Sequence, residues 1–191
     1  MSKNNTEIRF TGFGGQGIIL AGHIAGRAAT IYEKLNATLT QSYGPESRGG
    51  SCSAQLIISD KPIYYPHLSR TDLLVALSPE SYSKYKDEVK EGGTIIVEEN
   101  ILCGTAGRTI AACTLLDKKS KVKILTVPAA KLADEVGKKF VANIVVLGFM
   151  TAATGLVGKD AMRQAIADSV PPGTQDLNLA AFDKGYNYYK E

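Results

Sequence analysis

Glu7-Ile8-Arg9-Phe10-Thr11-Gly12-Phe13-Gly14-Gly15-Gln16-Gly17, followed by Ile18-Ile19-Leu20-Ala21-Gly22, is the stretch that decides the fold. Glu7 to Phe13 reads as a strand that runs into a glycine cluster. Gln16 to about Leu35 then reads as a helix. Ile18, Ile19, Gly22, Ala25, Gly26 and Ala29 give that helix a small-residue face able to sit close to a sheet. Gly12-Phe13-Gly14-Gly15-Gln16-Gly17 matches G-x-G-x-x-G between a strand and a helix, where the pattern has physical meaning. Glycines permit the sharp turn and let a ligand approach the backbone, and the free N–H groups of the helix start favour an anion.

Working outward, Ala37 to Thr40 is a second short strand. It enters an irregular loop, Gln41 to Gly50, marked by Gly44-Pro45 and Gly49-Gly50. Ser53 to Ile58 is a third strand. Leu73 to Leu77 is a continuous apolar run, as expected of a parallel strand covered on both faces. Ser78-Pro79 then opens a helix, serine as cap and proline at the first helical position. Gly92-Gly93 is read as the end of that segment, before a strand over Thr94 to Val97. Val122 to Val127 is another strand, stopped by Pro128. Ala129, Leu132, Ala133 and Val136 recur at helical spacing, and helices follow over Asn143–Ala153, Lys159–Asp168 and Thr174–Tyr189. Alternating strands and helices predict one α/β domain spanning residues 1–191. Its sheet is Rossmann-like, mostly parallel and flanked by helices. Ile101 to Lys121 fits the pattern least and reads as an insertion or hairpin excursion.

Composition narrows the function. The 191 residues carry a net charge of only +3, with 44% hydrophobic and 21% charged residues, an ordinary globular balance. No broad basic surface for nucleic acid is indicated. Cys52, Cys103 and Cys113 form no CxxC pair, so no zinc ribbon or ferredoxin-type cluster motif is present. His23 and His67 are too few for a histidine-rich metal site, and His23 reads as a packed or partly exposed structural residue. The polar N-terminus and scattered cysteines point to the cytoplasm. Val141 to Gly158 is uncharged but short for a membrane span, contains Asn143, Thr151, Thr154 and three glycines, and reads as a buried or subunit-facing helix. With the C-terminal stripe Leu179, Phe182, Tyr186 and Tyr189, it exceeds what one small domain obviously buries. Part of this surface is therefore expected to meet a partner, including a second copy of the isolated chain.

The dinucleotide reading of the glycine turn fails at its next checkpoint. A nicotinamide site wants an acid at the end of the second strand for the ribose hydroxyls. Here that strand ends in Thr40-Gln41-Ser42-Tyr43. Neither G-x-x-x-x-G-K-[ST] nor a complete nucleophile elbow occurs; Gly49-Gly50-Ser51-Cys52-Ser53 lacks the last glycine. The loop Ser42-Tyr43-Gly44-Pro45-Glu46-Ser47-Arg48-Gly49-Gly50 should face the glycine turn across the ligand crevice. Arg48 can fork to a phosphate or carboxylate, Tyr43 can stack or donate, and Glu46 can hold Arg48. A rigid turn with a surface Arg48–Glu46 pair is the alternative.

The two loops, GFGGQG and SYGPESRGG, resemble those of the gamma subunit of 2-oxoacid:ferredoxin oxidoreductases. LLVAL, GGTIIV and VPAAKLADEVG ahead of the Asn143 helix resemble the family in order and spacing. The likeness runs over nearly the whole chain, with Ile101 to Lys121 outside it. It implies one subunit of a complex that oxidatively decarboxylates a 2-oxoacid, joins the acyl group to coenzyme A and passes electrons to ferredoxin. Thiamine diphosphate, whose ylid attacks the keto carbon, belongs with alpha- and beta-type subunits. Iron–sulfur clusters belong with beta- and delta-type subunits. The gamma-type chain binds none of these tightly alone, contributes no catalytic side chain or metal ligand, and is implicated in coenzyme A binding over the active site. The residues carried into that role are Gly12, Gly14, Gly15, Gln16, Gly17, Ser42, Tyr43, Arg48 and Gly49. The sequence does not choose among 2-oxoglutarate, pyruvate and branched 2-oxoacids, because the acyl pocket should lie mostly on other subunits; the loop's resemblance leans to the 2-oxoglutarate type, with the smaller subunit of indolepyruvate oxidoreductase as a related alternative. Two readings stay open beside it: an independent NAD(P)- or flavin-binding oxidoreductase, and a purely structural subunit.

Overall fold

Side-chain alternation along β1 (Thr6–Phe13) sets the two sides of the molecule. Ile8 and Phe10 are fully buried on one side, while Arg9 and Thr11 face the other. The computed structural model describes residues 5–44, 50–102, 115–117 and 121–190. β1 lies inside a seven-stranded sheet with β2 (Asn36–Tyr43), β3 (Ser51–Ser59), β4 (Thr71–Ala76), β5 (Val89–Glu98), β6 (Leu115–Asp117) and β7 (Val122–Val127). The order is β2-β3-β1-β4-β5-β7-β6. β1, β4, β5 and β7 are mutually parallel, and β2 points the same way because both it and β1 pair antiparallel with β3. β3 and β6 run against them. The sheet is thus mostly parallel.

Helices cover both faces. α1 (Ile18–Arg27), α4 (Ala129–Val136), α5 (Ala142–Thr154), α6 (Lys159–Ser169) and α7 (Gln175–Lys190) share one core with Ile8, Phe10, Leu73, Val75, Ile96 and Leu125. α2 (Pro79–Tyr85) and α3 (Glu99–Leu102) close the other face over Leu74, Ala76, Ile95 and Val97. The adjacent pair Leu74 and Val75 goes to opposite cores, as the strand period requires. Ser78 caps α2, its Oγ accepting from the Ser81 N–H, with Pro79 at the first helical position.

Several sequence expectations change. The first helix does not start at Gln16: Gly17 adopts φ 72°, so the helix begins at Ile18 and widens into a π-helical turn at Ala28–Tyr32 before Leu35. Ser42 and Tyr43 belong to β2, paired with Ser53 and Cys52, rather than to a loop. Gly92-Gly93 does not end a segment. It lies within β5 as an irregularity: β4–β5 register jumps from Thr71↔Val89 to Leu73↔Thr94, and Gly92 at φ 79° takes up the excess chain. Within Ile101 to Lys121, only the end of α3, β6 and Lys121 belong to the described residues.

Of the two readings of the uncharged Val141–Gly158 stretch, a buried helix or a subunit-facing one, the structure shows burial along most of its helix. Every residue of α5 from Asn143 to Thr151 is buried within this one chain. The physical reason is a glycine-mediated crossing with α7. A Cβ on Gly148 would run into the Phe182 carbonyl, and one on Gly185 into the Val145 carbonyl. Two bare backbones therefore meet, and α7 seals α5 against the sheet. Phe182 of the C-terminal stripe is itself wholly buried. Among the described residues no helix is long and apolar enough to cross a membrane.

Candidate functional site

The sheet changes winding direction between β1 and β4. After β1 the chain moves to β2 and β3 on one side, and after β4 it moves to β5 and β7 on the other. α1 and α2, which follow β1 and β4, lie on opposite faces. Open α/β sheets bind ligands outside the carboxyl ends of strands at such a switch point. The glycine turn stands there.

Its geometry is set by hydrogen bonds. The Leu77 N–H donates to the Thr11 carbonyl (2.9 Å), joining the two strand ends. Gln16 folds its side chain back across the gap. Its Oε1 accepts from the Phe13 N–H (2.7 Å), and its Nε2 donates to the Leu77 carbonyl (3.0 Å). A Cβ at Gly12 would collide with Gln16 Oε1 and Ile18, so glycine is required for Gln16 to take that seat. The Gly14 N–H donates to the Gly50 carbonyl (2.9 Å), which brings the start of β3 to the turn. Gly15 sits at φ 98°, and among the described residues no heavy atom lies within 4 Å of where its Cβ would project. Gly17 starts α1 with no side-chain cap, and the first turn of α1 carries no acid. The first N–H groups of a helix lack intrahelical partners and gather positive potential. The turn therefore presents helix-start N–H groups that favour an anion, and among the described residues Gly15 is uncovered.

The remaining sequence candidates are placed as follows. Tyr43 is exposed at the end of β2, its hydroxyl donating to Gln41 Oε1 (2.7 Å). Cys52 pairs with both Gly12 and Tyr43, so Tyr43 stands two strands from the turn, about 10 Å away. Ser42 shares that strand end. Arg48 and Gly49 lie outside the described residues. β3 sits between β1 and β2, so the end of β2, where a dinucleotide site keeps its acid, is also displaced from the turn by one strand. Cys52 is free and buried, and burial pushes its thiol up. Among the described residues no three His, Cys, Asp or Glu side chains group as a metal would need. A hollow of about 250 Å³ runs along the flank of α1 beside β2, lined by His23, Arg27, Thr30, Ile31, Ala37 and Leu39; His23 is exposed there.

Two residues with clear roles at this sheet edge were weakly signalled. Asn143, near the start of α5, donates from Nδ2 to the Gly17 carbonyl (3.2 Å). Its signal was a lone amide leading an apolar helix. Glu98 ends β5, and its Oε2 accepts from the Ala130 N–H (3.3 Å) at the start of α4. Its Oε1 is buried with no hydrogen-bond partner among the described residues. Burial raises this carboxyl to about 7, opposed by the Ala130 and Ala129 N–H groups and assisted by Glu99. Its signal was an acid closing an apolar strand.

Comparison with known proteins agrees with this architecture. Residues 7–188 match the family described as pyruvate ferredoxin/flavodoxin oxidoreductase. The chain is 46% identical to the 2-oxoglutarate synthase subunit KorC of Methanocaldococcus jannaschii, over 99% of this chain and 96% of that one. The keto/oxoacid ferredoxin oxidoreductase gamma subunit of Geobacter sulfurreducens superposes with a TM-score of 0.82 at 36% identity, covering 98% of each chain. The 2-oxoglutarate:ferredoxin oxidoreductase of Magnetococcus marinus, solved with 2-oxoglutarate, coenzyme A and succinyl-CoA bound, shares the fold. Its TM-score is 0.78 at 24% identity, over 99% of this chain and 32% of that one.

Proposed function

This chain belongs to the pyruvate ferredoxin/flavodoxin oxidoreductase family as a gamma subunit of a 2-oxoacid:ferredoxin oxidoreductase, and we propose that it supplies a coenzyme A contact over the active site of that complex. The observation that carries the reading is the glycine turn: an uncapped helix start, without a first-turn acid, at the switch point of the sheet. Coenzyme A is rich in phosphate, and such a turn favours anionic oxygen over neutral groups. The opening over Gly15 admits the ligand to the backbone. Gln16 spends both ends of its amide on the protein, so its part is to brace the turn. Arg48 supplies a charge-assisted contact to the same ligand, and Ser42, Tyr43 and Gly49 complete the surrounding surface.

Thiamine diphosphate, held with alpha- and beta-type subunits, supplies the ylid and electron sink when bound. Clusters on beta- and delta-type subunits carry electrons on to ferredoxin. This chain holds the carrier in register and covers the site from water. The likeness to a 2-oxoglutarate synthase subunit supports 2-oxoglutarate as the acid, and the complex is assigned to the cytoplasm.

The test is steady-state kinetics of the assembled enzyme carrying Gly15→Val or Arg48→Ala. Gly15→Val should raise the coenzyme A KM more than the 2-oxoacid KM. Arg48→Ala should cost about 1.5–3 kcal/mol of coenzyme A binding if its bond is charge-assisted, with Arg48→Lys restoring only part. Unchanged coenzyme A dependence in intact assemblies of both variants would leave the chain a purely structural subunit.

A further inference from the structure

We infer that Asn143 is a positioning residue for the coenzyme A site, fixing the Gly17 carbonyl from α5 and thereby aiming the first N–H groups of α1. The inference rests on the assignment of the glycine turn to coenzyme A.

Asn143 is only 4% exposed and stands ahead of the wholly apolar run Ile144-Val145-Val146-Leu147. A buried amide is costly unless it is hydrogen-bonded, so the identity of its partner matters. That partner, the Gly17 carbonyl, lies 126 positions away and also accepts the first intrahelical bond of α1, from the Ala21 N–H (2.9 Å). Two donors thus converge on one oxygen, one from within α1 and one from another helix. The approach is close: a Cβ at Gly17 would run into the Asn143 amide. Gly17 holds φ 72°, and glycine leaves this conformation easily unless its surroundings hold it. α5 can supply that hold because it is sealed within the core and locked against α7 through Gly148 and Gly185.

The turn is therefore gripped on both flanks by side-chain amides. Gln16 secures the Phe13 N–H and the Leu77 carbonyl, and Asn143 secures the Gly17 carbonyl. Between them Gly15 is uncovered among the described residues. A misaimed turn should weaken coenzyme A binding, while the 2-oxoacid, which the turn does not hold, should be affected less.

The experiment uses the assembled oxidoreductase with Asn143→Ala, Asn143→Asp or Gly15→Val, assembly being verified by light scattering. Asn143→Ala should raise the coenzyme A KM by about three- to tenfold, the scale of one lost hydrogen bond, with a smaller fall in kcat and a smaller change in the 2-oxoacid KM. Asn143→Asp should be worse at high pH, where a carboxylate opposes the Gly17 carbonyl. It should recover as pH falls, because the protonated acid regains a donor; Asn143→Ala should show no such recovery relative to wild type. A purely structural role predicts lower stability without that pH signature. If Gly15→Val raises the coenzyme A KM while both Asn143 variants leave it within twofold, the inference is overturned and the turn assignment survives. If Gly15→Val has no effect, both fall. Should Asn143→Ala fail to assemble, the pH profile of Asn143→Asp decides, and a flat profile overturns the inference.

Discussion

Replacing Glu98 with glutamine should stabilise the folded chain at neutral and alkaline pH and leave it unchanged in acid. Glu98 Oε1 is buried without a partner among the described residues, and burial lifts the carboxyl from 4.5 to about 7. The folded state thus binds this proton more tightly than the unfolded state does. The linked stability is fully present below about pH 4.5, declines as pH rises towards 7, and is gone above it. The gap between 4.5 and about 7, at about 1.4 kcal/mol per pH unit, sets a ceiling of about 3.5 kcal/mol. Water reaches part of the group, so about 1–3 kcal/mol is expected. The substituted amide would keep an oxygen for the Ala130 N–H while removing the charge. For a chain of this length the gain at pH 8 corresponds to roughly 2–4 °C in Tm per kcal/mol. Urea unfolding and thermal melts of wild type and Glu98→Gln at pH 4.5 and pH 8 measure it, other titrations cancelling in the difference. Equal or lower stability of the variant at pH 8, or an advantage that grows towards acid, would refute the buried-charge argument.

Two further outcomes follow from packing and from the sheet edge. Gly148→Ala and Gly185→Ala should each cost about 3 kcal/mol or more, because the added methyl meets a backbone carbonyl that cannot rotate away; denaturant midpoints check this. β2 is an edge strand of eight uncharged residues in unbroken register with β3, lacking the lysines and bulges that usually blunt edges. The isolated chain should self-associate through it as concentration rises, and Thr40→Lys should shift light scattering towards the monomer.

What the sequence disclosed was local. The β1–turn–α1 unit is legible because strand alternation, a glycine cluster and a helical small-residue face occur within thirty residues. The apolar run at β4 and the Ser78-Pro79 start of α2 are legible for the same reason. What escaped was pairing at a distance. Nothing local says that β3 inserts antiparallel between β1 and β2, because that choice depends on which faces the whole sheet must bury. Gly92-Gly93 has the composition of a stop, but the parallel neighbour β4 keeps the strand going and turns the pair into an irregularity. The apolar length of α5 suggested an outside partner. The answer lay in Gly148 and Gly185, two small residues 37 positions apart that let α7 cover it.

The same distinction explains the site. In G-x-G-x-x-G the glycines advertise a turn, and the variable positions look interchangeable. Here Gln16, one of those positions, spans the strand ends, and its role depends on the Leu77 carbonyl 61 positions away. Gly12 is glycine because Gln16 needs the space, and Gly17 is glycine because Asn143 does. Gly15, by contrast, meets no heavy atom of the described residues. A motif usually explained by ligand approach is thus mostly occupied with internal bracing. With β3 inserted, the position that would grip a ribose is moved away, and the glycine turn stays at the switch point. That combination suits a phosphate-bearing carrier presented to a neighbouring subunit better than a nicotinamide held for hydride transfer.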